Sequence, residues 1–152
     1  MEPRDPIEHQ PRTAIVTGGA KRIGAALVRA LAQDGWDVLI HCHRSVAEAE
    51  ALATELGRAR AVQADLASPD CAELVFAALA GMPPPRLLVN NASRFVHDDA
   101  HGFPVEDWDA HQAINLRAPA LLTQAFARAS EGGLVVNLLD AKLAAPNPDF
   151  FS

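Results

Sequence analysis

The amino-acid sequence predicts a doubly wound α/β domain built on a parallel sheet. Three observations carry that prediction. Short apolar or β-branched runs alternate with segments of helical period along the chain. A glycine-rich turn joins the first such strand to the first helix. The chain has 152 residues, 49% of them hydrophobic, which suits one globular unit with a real core.

Thr13 to Thr17 is a β-branched run bounded by Pro11 and by Gly18-Gly19, as a buried strand would be. In the helix that follows, Ile23, Leu27, Ala30 and Leu31 recur at helical spacing until Gly35. Asp37 to His41 makes the second strand. Val46 to Leu56 is rich in good helix formers, with Ser45 at the N-cap, Glu48 at the capping-box position and Gly57 as the stop. Ala59 to Gln63 is a weak third strand. Ser68-Pro69 is expected to open a helix reaching about Ala80, before Gly81 and Pro83 to Pro85 interrupt.

Leu87 to Val89 is the fourth strand. Beyond a loop with Gly102 and Pro104, Val105 to Ser130 reads as one long helix, bulged or kinked where Asn115 and Pro119 fall. Leu134 to Leu138 is expected to be a buried fifth strand that delivers Asp140 at its carboxyl end, where open α/β sheets keep their ligands. Right-handed crossovers then place helices on both faces of the sheet.

Residues 1–12 are polar, with Pro3, Pro6 and Pro11, and read as a flexible tail ahead of a domain spanning 13–152. The tail has no apolar stretch of the kind a signal peptide carries, and no run elsewhere approaches the ~20 residues of a spanning helix. A net charge of −6 disfavours nonspecific attraction to nucleic acid or anionic membrane. Any phosphate bound here must therefore meet a local basic cluster. Cys42 and Cys71 form neither a CxxC pair nor a metal-ligand cluster, so a reduced, cytoplasmic protein without a metal centre is expected.

Thr17 to Gly24 supplies such a cluster. Gly18 and Gly19 permit a tight turn and close backbone approach, Gly24 lets the helix pack near the strand, and Lys21 and Arg22 add positive charge at a helix N-terminus. The spacing is neither that of a P-loop, which needs Gly-Lys followed by Ser or Thr, nor GxGxxG. About 20 residues further on, a dinucleotide-binding domain places the residue that meets the adenosine ribose. Here stand His43, Arg44 and Ser45, with no acidic competitor. Arg44 can pair with a 2′-phosphate and Ser45 can donate to it, which implies NADP(H).

The loop resembles the TGxxxGxG turn of the short-chain dehydrogenase/reductase family, with Arg22 where the middle glycine usually sits. Together with the HxHRS string ending in Ser45, it is most similar to the pteridine reductase branch. That resemblance implies a Rossmann-type sheet of strand order 3-2-1-4-5, continued in the family by strands six and seven, without which strand five becomes an exposed edge. It implies cofactor contacts from Gly18, Lys21, Arg22, Ile23, His43, Arg44 and Ser45. It adds the adenine-contacting pair Asp65 and Leu66, and the strand-four motif through Asn91, Ala92 and Ser93.

The same resemblance makes Phe95 a stacking partner for a pterin, with Arg22 and Asp140 as further substrate contacts. Asn115 matches the asparagine that holds a water in the proton relay, and Asp140 stands where most of the family carries a serine. The family's general acid, a tyrosine about thirteen residues on, would fall just beyond Ser152, and with it the lysine of YxxxK; the chain contains no tyrosine. The implied activity is NADPH-dependent reduction of a pterin-like or carbonyl compound by a homodimer or homotetramer when complete. The alternative is a noncatalytic NADP-binding fragment. On either reading these residues alone are expected to be inactive.

Overall fold

The computed structural model describes residues 10–99 and 101–140. Five parallel strands form one sheet in the order β3-β2-β1-β4-β5, as expected. The strands are β1 (Thr13–Val16), β2 (Asp37–Cys42), β3 (Ala59–Gln63), β4 (Pro85–Asn90) and β5 (Leu134–Asn137). Helices α1 (Arg22–Gln33), α2 (Val46–Leu56), α3 (Cys71–Ala77), α4 (Val105–Gln112) and α5 (Ala118–Ala129) connect them. β1 lies at the centre, paired with β2 through Ile15 opposite Leu39 and with β4 through Ile15 opposite Leu88.

Alternation along the central strands divides the apolar side chains between two cores. Ile15, Leu39 and Leu88 pack with Val75 of α3 and with Leu122 and Phe126 of α5. On the other face, Val16, Val38 and Ile40 pack with Val28 of α1 and Leu52 of α2. Both faces of β1 are thereby covered, and all four of its residues are buried. The layer order places every strand's carboxyl end at one rim of the sheet.

Several local expectations change. The helix expected to open at Ser68-Pro69 begins instead at Cys71, because Asp65 Oδ1 accepts the Ala67 N–H and Ser68 bonds Asp70, holding the stretch in turns. It ends at Ala77, and three-residue turns carry the chain through Leu79, Ala80 and Met82. Ser45 precedes α2 but makes no side-chain cap bond, and Glu48 turns to Lys21 instead of closing a capping box. Gly57 does stop α2, in the left-handed conformation with φ 69°.

The long helix is interrupted as Asn115 and Pro119 suggested: Ala113–Arg117 forms a π-helical turn between α4 and α5. β5, whose apolar run reads as a buried strand, lies at an exposed edge, as expected of it without strands six and seven. Leu134, Val136 and Leu138 are exposed along it, while only Val135 packs against the core. Among the described residues, β5 pairs with β4 alone. Of the tail, residues 1–9 lie outside the described residues; Arg12 is tied to the fold, its carbonyl accepting the Asp37 N–H and its guanidinium lying 4.1 Å from the centre of the Trp36 ring.

Gly24 fixes how closely α1 approaches the rim. A Cβ there would overlap the Gly18 carbonyl oxygen and lie 2.7 Å from Asn91 Nδ2. Gly24→Ala is therefore expected to lower the unfolding free energy by about 1–3 kcal/mol, the usual cost of overpacking. Urea denaturation checks it, since an unchanged midpoint would mean the helix can retreat freely.

Candidate functional site

At the carboxyl rim of the sheet, the segments after β1, β2, β3 and β4 enclose a cavity of ≈ 650 Å³. The glycine loop forms one wall. Gly18 adopts φ +60°, and Arg22, at the first position of α1, has φ 51°, a left-handed conformation that costs a non-glycine residue roughly 1–2 kcal/mol. No side chain caps α1, so the N–H groups of its first turn are left to face an anion.

The exit of β4 continues this wall. Thr17 Oγ1 accepts the backbone N–H groups of Asn91 and Ala92, both at 3.0 Å. Asn91 Nδ2 donates back to the Thr17 and Gly18 carbonyls at 2.8 and 3.2 Å. The loop and the β4 exit are thus one hydrogen-bonded unit.

His41, on β2, ties a third segment to this unit. Its Nδ1 accepts the Gly18 N–H at 3.2 Å, so the proton sits on Nε2, which donates to the Ala64 carbonyl at 3.0 Å. Burial lowers the His41 pKa, the Ala64 bond and Asp65 opposing that shift while His43 reinforces it. The ring is neutral as its two bonds require. Beside it, burial and the carboxylates of Glu50 and Glu48 raise the Cys42 thiol, which remains protonated.

All twelve residues expected to contact a cofactor line the cavity: Gly18, Lys21, Arg22 and Ile23; His43, Arg44 and Ser45; Asp65 and Leu66; Asn91, Ala92 and Ser93. Three other expected residues do not line it. Phe95 lies in the loop after β4 and is exposed. Asn115 sits in the π turn and grips the Arg94 backbone, its Oδ1 accepting the N–H at 2.8 Å and its Nδ2 donating to the carbonyl at 2.9 Å. Arg94 itself lines the cavity and pairs with Asp107. Asp140 is exposed beyond β5, whose exit is held to that of β4 by Asn90 Nδ2 donating to Asn137 Oδ1 at 2.8 Å.

Thr17 and His41 stand in the loop and HxHRS motifs quoted from the sequence but were given no role there, although both help to assemble the cavity. A histidine inside the buried, otherwise apolar run of β2 was the available signal. A second hollow of ≈ 480 Å³, between Ala67 and the outer side of the π turn at Leu116 and Arg117, lies away from the glycine loop. Among the described residues no cluster suits a metal ion, and no helix is long and apolar enough to cross a membrane.

A parallel sheet of this order, with a glycine loop at the first helix and a basic segment after the second strand, defines a dinucleotide-binding architecture. Residues 12–142 match the short chain dehydrogenase family, and the chain belongs to it. It is 32% identical to pteridine reductase 1 of Leishmania tarentolae, over 88% of this chain and 62% of that protein. It is 36% identical to a probable galactose dehydrogenase of Rhizobium meliloti, over 83% of this chain and 52% of the relative. The chain therefore spans between half and two thirds of the length of these relatives.

Among solved structures, the FolM alternative dihydrofolate reductase 1 of Brucella suis in complex with NADP superposes with a TM-score of 0.86 at 40% identity, covering 93% of this chain and 61% of that one. A blue fluorescent protein from a metagenomic library, in complex with NADPH, gives 0.87 at 34% identity, covering 94% and 62%.

Because His41 is buried neutral, its protonation favours the unfolded chain. Its folded pKa lies below the ordinary value of about 6.5, so stability is full above that value and falls as the pH drops through it. His41→Gln is expected to remove this component of the pH dependence. Denaturation midpoints of both proteins from neutral to acid pH check it, and parallel curves would contradict it.

Proposed function

We propose that this chain is the cofactor-binding part of an NADPH-dependent short-chain reductase of the pteridine reductase type. The observation that carries this reading is the joint placement of Arg44 and Ser45 with the glycine loop on one cavity wall system. His43, Arg44 and Ser45 follow β2 without a carboxylate among them, so a 2′-phosphate meets a guanidinium and a hydroxyl in this segment. The pyrophosphate fits the first turn of α1, where Gly24 leaves no Cβ between loop and helix. Asp65 and Leu66 stand at the adenine side, and Asn91, Ala92 and Ser93 line the way toward the nicotinamide.

Bound NADPH supplies the hydride for a pterin-like or carbonyl acceptor. This chain's own residues orient that acceptor. Arg22 and Phe95 offer charge and a stacking face to it, while Asn115 holds the backbone of Arg94, the residue before Phe95. Asp140, at the carboxyl end of the β5 path, is the group we assign to hydrogen bonding or proton supply. Asn115 serves the proton relay, acting with the tyrosine that this family carries and these 152 residues do not. We place the protein in the cytoplasm as a homodimer or homotetramer.

A second reading, a dinucleotide-binding module without turnover, is favoured by the absence of tyrosine from these residues. Steady-state assays separate the two. The complete natural protein is expected to oxidise NADPH with dihydropterin or dihydrofolate, whereas the 152 residues alone bind NADPH without turnover. No turnover by the complete protein with pterins or simple carbonyls would favour the module. Arg44→Ala should weaken NADPH binding by about ten- to a hundredfold, the worth of one charge-assisted bond, and leave NADH binding unchanged. Equal loss for both nucleotides would refute the phosphate assignment.

A further inference from the structure

Lys21 closes the glycine loop and Glu48 lies in the first turn of α2, and the two meet with Nζ 2.6 Å from Oε1. Lys21 lines the cavity together with Arg44 and Ser45, so its ammonium belongs to the basic group that would receive a 2′-phosphate. We propose that Glu48 is a specificity-determining residue, whose carboxylate competes with the 2′-phosphate for Lys21 and so limits the preference for NADPH over NADH. This rests on the cofactor reading above.

The argument is one of charge. Lys21 carries a single positive charge, and a carboxylate in contact with it already neutralises that charge. A phosphate dianion entering beside Arg44 gains less from a neutralised Lys21 and is repelled by Glu48 unless that side chain turns away. It is free to turn, because Lys21 and Glu48 are both about half exposed, at 54% and 47%. Ser45 makes no side-chain cap bond, so Glu48 is not committed to a reciprocal capping box. The hydrogen bond from Lys21 holds the Glu48 carboxyl below its usual pKa, and the competitor stays ionised throughout the neutral range.

An exposed pair of this kind adds little to the stability of the fold, so its consequence falls on the ligand. NADH, which has no 2′-phosphate, is indifferent to it. Glu48 thus acts against Arg44: one attracts the phosphate and the other tempers it.

Equilibrium titrations of NADPH and NADH into the purified protein test this, using wild type, E48Q, E50Q and the double variant K21Q/E48Q compared with K21Q. Glu50 lies on the same helix, and E50Q makes the same change in net charge without touching Lys21. E48Q is expected to tighten NADPH about two- to fivefold, to leave NADH unchanged, and to have no effect in the K21Q background. A weakening of both nucleotides would make the pair a brace for the loop and overturn the inference. So would a gain matched by E50Q, which would mark a general charge effect. A wild type that holds NADPH no more tightly than NADH would remove the cofactor assignment itself. Failure of E48Q alone, with that preference intact, would remove only the role of Glu48.

Discussion

Thr17 Oγ1 accepts two backbone N–H groups from the residues that follow β4, and Asn91 returns two side-chain bonds to the carbonyls of Thr17 and Gly18. The rest of the site depends on this exchange. Without it the glycine loop and the β4 exit would be two separate turns at a wet rim, each with backbone groups to satisfy. With it they form a single wall, and Gly24 brings α1 down onto that wall until no space for a Cβ remains. His41 adds the third side by accepting the Gly18 N–H and reaching Ala64 after β3. Leaving any of these buried groups without a partner would cost about 1–3 kcal/mol. The cavity is consequently a property of the sheet, assembled at the ends of β1, β2, β3 and β4 by these side-chain bonds.

Charge is distributed against the average of the molecule. The chain is acidic, at −6, yet Lys21, Arg22 and Arg44 converge on the cavity. That local reversal suits a polyanionic ligand better than it suits a nucleic acid, which would meet acidic surface beyond the rim. The π turn at Ala113–Arg117 belongs to the same economy of positions. Widening the helix there brings Asn115 to the Arg94 backbone, which extends the ordered wall one step beyond Ser93.

Most element boundaries were legible because the central strands are apolar on both faces and glycines or prolines separate them, whereas the strand order came with the family resemblance. The twelve residues that the family resemblance singled out line one cavity, because each lies in a segment that follows a strand, where chain order and the parallel topology fix its place. What was not legible depends on competition between local and tertiary bonds. Ser45 and Glu48 have the spacing of a capping box, but Lys21, distant in sequence, takes Glu48. Ser68-Pro69 looks like a helix start, but Asp65 and Asp70 hold it in turns. Thr17 and His41 looked like strand residues and are also the connectors of the site. The apolar run of β5 alone reads as a buried strand, and its exposure was legible only through the family resemblance, which places two further strands beyond it.

Amide hydrogen exchange of the wild-type chain, measured by NMR without added nucleotide, tests the central claim most directly. Gly18 and Ala92 lie in loops, yet their N–H groups are bonded to His41 and Thr17. If the cavity is assembled by these side chains, both amides exchange about as slowly as those of β1 and β4. Rapid exchange at Gly18 and Ala92, with the strands still protected, would show that the loops are not held and would contradict the account.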